Sequence, residues 1–201
     1  YMSGLSRAEL EQSPYLEGVK EKDYEVLFLL DEIDGFIVSE LEYNGKKLKS
    51  VTKGDIELDK NKKSEKQQAE KKYGKIIDLI KDQLKDDIKD VRISARLKES
   101  ACCLVADEGD IDQNLERLMK AMGQTIPLSK RILELNPAHP LIESMNGVFE
   151  KDKDSAMLKD YARLLYDQAL VLEGSKPKDP VAFSKLISKI MVEHSKAAAN
   201  E

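Results

Sequence analysis

Apolar residues recur at helical spacing near the middle of the chain. Ile111, Leu115, Leu118, Met119 and Met122 fall at positions i, i+4, i+7, i+8 and i+11, which places them on one stripe of an α-helix. A helix that faces the protein's own core and a helix that binds another molecule share the same period. The pattern therefore predicts an amphipathic helix and leaves open what its apolar stripe contacts.

The first sixty residues alternate between helical and extended patterns. A helical segment over 6–22, interrupted at Pro14, precedes EVLFLL at 25–30, a run typical of a strand covered on both faces. A second helical pattern over 33–41 is followed, after an Asn-Gly turn signal, by the strand pattern KKLKSV at 46–51. This order predicts a parallel sheet with right-handed crossovers in a small three-layer α/β domain.

The character of the chain changes over residues 60–72, KNKKSEKQQAEKK, where six lysines stand among polar residues. Such a stretch is typical of an exposed linker or of the solvated start of a helix. We place a domain boundary near residue 62, which gives a small α/β domain over 1–62 and an α+β domain over 63–201. An amphipathic helix then opens the second domain, with its apolar stripe at Tyr73, Ile76, Ile77, Ile80, Leu84 and Ile88.

Three extended stretches follow this helix: DVRIS at 90–94, ACCLVA at 101–106 and RILELN at 131–136. The pattern does not determine their order in a sheet. The last stretch runs into NPAHP, in which we expect Asn136 to cap the next helix and Pro137 to start it.

Two further helical patterns end the chain, over 156–172 and from 181 to about 194. The linker EGSKPKDP joins them, with Gly174 as the stop of the first helix and Asp179 as the N-cap of the second. The first helix has apolar residues at alternating spacings of four and three, which is typical of a coiled-coil seam.

A hairpin of two helices covers only one face of each helix. Each large apolar side chain left exposed forgoes roughly 1.5–3 kcal/mol of burial. We therefore predict that a second copy, related by a two-fold axis, packs on the hairpin to form a four-helix bundle. The alternative is that these faces pack on the sheet of the same chain. The predicted dimerisation residues are Leu158, Tyr161, Leu164, Leu165, Ala169, Leu172, Phe183, Leu186, Ile187, Ile190 and Met191.

Composition and charge limit the classes of function. Charged residues make up 35% of the 201 residues, and the net charge of −5 argues against a dedicated nucleic-acid-binding protein. No apolar run approaches the roughly 20 residues that span a bilayer. The start, YMSGLSRAEL, lacks the features of a signal peptide, and Tyr1-Met2 is typical of a strand cut from a longer chain, so we expect a fragment. Cys102 and Cys103 are adjacent, a poor geometry for a disulfide, and we expect reduced, buried thiols in a cytoplasmic protein.

Standard catalytic and cofactor motifs are missing from the sequence. The ten glycines are dispersed and form no phosphate-binding loop. DEGDIDQN at 107–114 lacks the glycine and the terminal glutamate of a calcium loop, so its acidic residues are better explained as a helix N-cap. A Cys102–His139 nucleophilic pair would lack a third member, and His139 is expected to be structural. We predict no catalytic, cofactor or metal site.

Several stretches resemble the ninety-kilodalton heat-shock chaperones. NLERLMKA at 114–121 is similar to the Asn-x-Glu-Arg-x-Met-Lys-Ala signature of that family. The lack of the eukaryotic Tyr-Gly-Trp motif before residue 114 indicates a bacterial member, of HtpG type. Similarity to the C-terminal region of the family extends over SACCLV (100–105), ELNPAHPLI (134–142), LLYDQALVLEG (164–174) and DPVAFSKLISKIM (179–191), and similarity to the end of its middle domain over SPYLEGVKEKDYEVLFLLDEID (13–34) and NGKKLKSVTK (44–53).

The resemblance implies an ATP-dependent molecular chaperone that assists protein folding as a homodimer. The family binds ATP and magnesium upstream of the residues present here, so we expect no enzymatic activity and no cofactor in this chain. The family dimerises through its last two helices. Its amphipathic helix projects into the cleft between protomers and contacts client proteins. By position, the client-binding residues are Ile111, Leu115, Leu118, Met119 and Met122, with Glu116, Arg117 and Lys120 keeping the exposed helix soluble.

The expected partners are therefore a second copy and partly folded client proteins, and neither nucleic acid nor a membrane. The end of the chain, SKAAANE, differs from the Met-Glu-Glu-Val-Asp tail of eukaryotic cytosolic members, so tetratricopeptide co-chaperones are not expected. Two other functions stay open: a nucleotide-independent dimeric scaffold whose 111–122 stripe is entirely core, with no exposed client site, and a small hydrolase that uses Cys102 or Cys103.

Overall fold

The computed structural model describes residues 1–56, 63–124 and 129–199. The first of these ranges contains short elements joined by tight turns. In chain order they are β1 (Met2–Ser3), α1 (Arg7–Glu11), a 3₁₀ turn (Pro14–Leu16), α2 (Glu17–Glu21), β2 (Phe28–Leu29), α3 (Asp34–Ile37), a second 3₁₀ turn (Val38–Glu40), β3 (Glu42–Tyr43) and β4 (Lys46–Lys47).

The other two ranges contain longer helices and a three-stranded sheet. The elements are α4 (Lys63–Gln83), β5 (Asp90–Ile93), β6 (Cys102–Val105), α5 (Gln113–Ala121), β7 (Ile132–Leu135), α6 (Pro140–Lys151), α7 (Ala156–Leu172) and α8 (Pro180–Ala199). The molecule is thus a mixed α/β structure of helices and small sheets.

The strands of the first 56 residues differ from the predicted three-layer α/β arrangement. β1 pairs in parallel with β2, as expected, but β3 and β4 form an antiparallel hairpin with each other. Asn44 and Gly45 both have positive φ, 50° and 72°, and this geometry reverses the chain within two residues. No crossover is then needed, so the prediction that 46–51 adds a parallel strand is wrong. The 25–30 run is also not covered on both faces, since Leu27 is 56% exposed.

The central sheet has the order β5–β7–β6. β7 runs parallel to β5, with Val91 opposite Leu133, and antiparallel to β6, with Leu104 opposite Leu133. Every residue of β6 and β7 is buried because both faces of the sheet are covered. On one face, the helix-side core joins the sheet to α4, α6 and α7; its members include Ile76, Ile80, Leu104, Leu133, Leu135, Ile142, Met145, Leu158 and Leu165.

The other face of the sheet packs against residues 1–56. This second core contains Met2, Leu10, Tyr15, Leu16, Val19, Val51, Leu97, Cys103, Val105 and Ile132. The hydroxyl of Tyr15 also donates a hydrogen bond to the Leu104 carbonyl. The predicted boundary near residue 62 lies outside the described residues, and the division into two domains stays a prediction. The parts of the chain on either side of it nevertheless share this core.

A buried charge network reinforces the same contact. Arg96 and Glu134 are each 1% exposed and pair at 2.8 Å, from Nε to Oε2. Arg92 reaches the other oxygen of Glu134 at 2.7 Å. Arg96 also donates hydrogen bonds to the carbonyls of Val51 and Gly54. The carboxylate of Glu134 is therefore neutralised by two guanidinium groups, and both also donate to the Gly54 carbonyl, which holds the 51–54 backbone against the sheet.

The helices follow their sequence patterns closely. Tyr73, Ile76 and Ile80 of α4 are buried, as are Leu84 and Ile88 just beyond its end, which confirms the predicted stripe. The lysine-rich stretch from residue 63 onward is the solvated start of α4 rather than a linker. Within the described residues, no helix is long and apolar enough to span a bilayer.

The start of α6 differs from the prediction. The helix begins at Pro140, and the Nδ1 atom of its N-cap His139 accepts a hydrogen bond from the Leu141 backbone at 3.1 Å. Asn136 instead lies buried before the helix, where its side-chain amide donates to the carbonyls of Lys98 and Ser100. Asn136 is therefore occupied by the loop that precedes β6, and the next polar side chain caps the helix. The expected structural role of His139 is confirmed.

Candidate functional site

The predicted amphipathic helix is α5. It begins after Asp112, whose Oδ1 accepts the backbone N–H of Asn114 at 2.9 Å. The same carboxylate accepts hydrogen bonds from the hydroxyls of Ser3 and Thr52. This confirms that the acidic residues before the helix include its N-cap. Among the described residues, no group of His, Cys, Asp or Glu side chains is arranged to hold a metal ion.

One charged residue of α5, Glu116, faces the protein, whereas Arg117 and Lys120 are exposed. Glu116 is 7% exposed, and its carboxylate pairs with Arg131 at 2.7 Å and with Lys120 at 2.7 Å. The expectation that Glu116 keeps an exposed helix soluble is therefore wrong. Arg131 is itself buried and needs a counter-charge, because an isolated charge inside a protein is strongly unfavourable; Glu116 supplies it.

The apolar side of α5 is only partly covered by the rest of the chain. Ile111, Leu115, Leu118 and Met119 are half-buried, and Met122 is 62% exposed. None of the five belongs to either core. Because the helix is held by its polar side, its apolar stripe is not entirely core, contrary to the requirement of the scaffold alternative.

A second apolar segment lies beside this stripe. Helix α3 packs on α5, and Gly35 lies so close that a Cβ atom there would be 3.4 Å from Cδ1 of Leu115. Ile33, Phe36 and Ile37 of the α3 region are exposed. We call these three residues and the five of the α5 stripe the α3–α5 surface. The sequence pattern marked Ile33, Phe36 and Ile37 as one side of a helix, but nothing in it placed them next to residue 115.

The predicted dimerisation residues of α7 divide into two groups. Leu158, Leu165 and Ala169 lie in the helix-side core and are at most 1% exposed. The carbonyl of Leu165 accepts a hydrogen bond from the Cys102 thiol at 3.2 Å. These three residues pack on the sheet of their own chain, as the alternative reading required. This part of the predicted coiled-coil seam is not available to a second copy, because α7 packs directly on β6 of the same chain.

The outer face of the hairpin is open. Tyr161 and Leu164 of α7 and Phe183, Leu186 and Ile190 of α8 are half-buried, while Leu172, Ile187 and Met191 are exposed. Along Pro180–Ala199, the described length of α8, no residue is buried. Lys189 pairs with Asp160 at 2.6 Å and ties α8 to α7. The sequence pattern did not identify Val171, Val181 and Val192, which are exposed on the same two helices.

The two cysteines are placed differently from catalytic thiols. Both are free and buried, as predicted. Burial raises the pKa of the Cys102 thiol to about 12 and raises that of Cys103 well above its ordinary value. A nucleophilic cysteine needs a lowered pKa and access to solvent. The geometry therefore argues against the hydrolase alternative.

The comparisons with known proteins all indicate one protein family. The sequence model described as Hsp90 protein matches residues 1–201. The protein "Chaperone protein HtpG" of Geobacter sulfurreducens is 50% identical over 207 residues, which cover 100% of this chain and 32% of that protein. The proteins of the same name from Geobacter metallireducens and Frankia casuarinae are 48% and 41% identical; the matches cover 100% and 96% of this chain and 32% and 31% of those proteins. The chain thus spans about a third of the length of these relatives.

Proposed function

The chain belongs to the Hsp90 protein family, and from this premise we propose that it is the client-binding and dimerisation part of a bacterial molecular chaperone. In this proposal, residues 1–62 are the end of a middle domain and residues 63–201 are a C-terminal dimerisation domain. ATP and magnesium belong to other parts of the whole protein, and this chain has no catalytic role. The proposed location is the cytoplasm.

The observation that carries the proposal is the orientation of α5. An amphipathic helix normally buries its apolar side, whereas α5 buries Glu116 and leaves its apolar stripe only partly covered, with Met122 exposed. Exposed apolar surface on a monomer commonly marks a binding site. Met119 and Met122 suit this purpose because methionine is flexible and polarizable and adapts to dissimilar apolar partners. We propose that the α3–α5 surface binds apolar segments of partly folded proteins.

The dimer is proposed from the outer face of the hairpin. Packing α7 and α8 of two copies around a two-fold axis gives a four-helix bundle that buries Leu172, Phe183, Ile187 and Met191. Each large side chain removed from water contributes roughly 1.5–3 kcal/mol. The core residues Leu158, Leu165 and Ala169 are not part of this proposed interface, because they are already enclosed.

Client binding is tested with the double variant Leu118→Ser, Met119→Ser. The measurement is the suppression of aggregation of a heat-unfolded model protein by the 201-residue chain. We expect suppression to weaken severalfold while the melting temperature falls by only about 2–4 °C, because neither residue belongs to either core. The double variant Ala121→Ser, Gln124→Ser alters exposed neighbours and serves as the control. A large fall in melting temperature, or undiminished suppression, would contradict the proposal and favour the scaffold alternative.

Dimerisation is tested by sedimentation equilibrium over a range of concentrations. The single chain has a mass of 22.7 kDa, so the proposal requires twice that value. Met191→Glu places a charge in the proposed interface at a residue that is 66% exposed in the single chain, and we expect a folded monomer. Lys196→Glu changes the charge on the opposite side of α8, by helical periodicity, and should leave the mass unchanged. Equal masses for the two variants would show that this face is not the interface.

A further inference from the structure

Helix α5 is fixed by three polar contacts, two of which end at the junction between α7 and α8. Gln113 Nε2 donates to Ser175 Oγ at 3.0 Å, and Arg117 Nη2 donates to the Glu173 carbonyl at 3.5 Å. The third contact runs from Glu116 to Arg131. Glu173 and Ser175 form the junction between α7 and α8. The polar side of the proposed client-binding helix is therefore attached to the turn of the proposed dimerisation hairpin.

Arg131 contacts both α5 and the α7–α8 junction. Its Nη2 atom is 2.7 Å from Oε2 of Glu116, and its Nε atom is 3.4 Å from Oε1 of Glu173. Its Nη1 atom also donates to the Ile111 carbonyl, which precedes α5, at 3.3 Å. The three side chains are each at most 10% exposed. One buried guanidinium thus bridges two buried carboxylates from different helices.

The backbone of Arg131 is held firmly. Its carbonyl accepts a hydrogen bond from the Lys89 backbone at 2.8 Å, and the next residue is the first of β7, which is central in the sheet. A helix of nine residues, such as α5, is not stable by itself in water. The sheet therefore provides the rigid base, and the Arg131 side chain transmits its position to α5.

We propose that Arg131 is a positioning residue that fixes the rotation of α5, so that its apolar stripe points outward, and couples α5 to the α7–α8 junction. The proposal rests on the function proposed for the stripe. Without the guanidinium, Glu116 would keep only Lys120, whose side chain is 46% exposed, as a counter-charge, and its burial would become unfavourable. The polar side of α5 would then leave the protein, and the stripe would lose its defined orientation.

The test compares amide hydrogen exchange of residues 113–121 and 132–135 in three variants of the 201-residue chain. Arg131→Met should raise the exchange rates in α5 at least tenfold and leave those in β7 within twofold of the parent chain. Arg131→Lys keeps the charge and should give an intermediate increase. Lys130→Met, which removes the neighbouring exposed charge, should have no effect on α5.

Unchanged exchange in α5 of Arg131→Met would overturn the proposal. If Arg131→Met does not fold, Arg131→Lys decides instead, since a positioning role requires its α5 to exchange faster than that of the parent chain. A general rise that includes β7 would mean a merely structural role and would also overturn it. Aggregation suppression should fall together with α5 protection. If Leu118→Ser, Met119→Ser keeps full suppression, the proposed function fails, whereas the exchange rates still decide the role of Arg131.

Discussion

Truncating a leucine should affect a different property on each face of α7: the stability of the single chain on one face and the association of two chains on the other. Leu158 is 0% exposed and lies between the sheet and the helices of the helix-side core, whereas Leu172 is 42% exposed at the end of the same helix. Leu158→Ala and Leu172→Ala each remove the same atoms. The first should lower the stability of the single chain, and the second should weaken the association of two chains.

The magnitudes follow from burial. Truncation of a fully buried leucine costs about 2–5 kcal/mol, since a cavity adds to the lost transfer free energy. In a chain of this length, a loss of about 3 kcal/mol lowers the melting temperature by about 6–12 °C. Leu172 is already partly covered, so its burial in a dimer gains about 1 kcal/mol per copy. Because Leu172 occurs twice in a two-fold interface, its truncation costs about 2 kcal/mol in total, which weakens dimerisation roughly thirtyfold.

The assay is urea unfolding followed by circular dichroism at several protein concentrations, together with sedimentation. Leu158→Ala should lower the free energy of unfolding by the same amount at every concentration. Leu172→Ala should lower it only where the parent chain is dimeric, because association stabilises the folded state by mass action. A concentration-independent loss in Leu172→Ala equal to that of Leu158→Ala would refute the assignment of the two faces. A loss below about 1 kcal/mol in Leu158→Ala would refute its place in the core.

Three further predictions concern buried and half-buried charges. Burial raises the pKa of Glu17, but hydrogen bonds from Ser100 and the adjacent backbone lower it below its usual value. Glu17→Gln should therefore lower the free energy of unfolding by about 1–3 kcal/mol at pH 7. In urea titrations below pH 4, where the parent carboxylate is protonated, this difference from the parent chain should shrink. Arg96→Met leaves Glu134 with one of its two guanidinium partners and should cost about 3–5 kcal/mol in the same assay at pH 7. Burial raises the pKa of Glu173 from 4.5 to about 7. Between these two pH values the folded state therefore binds more protons than the unfolded state. The free energy of unfolding should fall as pH rises from 4.5 to 7, by at most about 1.4 kcal/mol per pH unit from this group. Glu173→Gln should remove that slope, and an unchanged slope would contradict the shift.

Elements defined by neighbours in sequence were predicted well. Local periodicity was sufficient to predict the apolar stripe of α4, the strands β5, β6 and β7, and the bounds of α7. Asp112 and Asp179 act as N-caps, and Gly174 has the positive φ of 77° expected of a helix stop. Such signals involve hydrogen bonds within a few residues, so distant contacts do not change them.

Contacts between distant residues were predicted less well. The order β5–β7–β6 was left undetermined, because strand pairing depends on residues about forty positions apart, such as Val91 and Leu133. Helix α6 began three residues later than predicted, since Asn136 was taken by the 98–100 loop. The proximity of α3 to α5 had no sequence signal.

The sequence by itself determined that α5 and α7 are amphipathic and that acidic residues within 107–114 cap the first of them. Only the tertiary structure decided which side of each helix meets the protein. Periodicity records a difference in polarity between two faces and carries no information about the neighbour of either. For α5 the deciding neighbour is Arg131, whose buried charge holds Glu116 inward. For α7 it is β6, which takes up Leu158 and Leu165 and leaves Leu172 open.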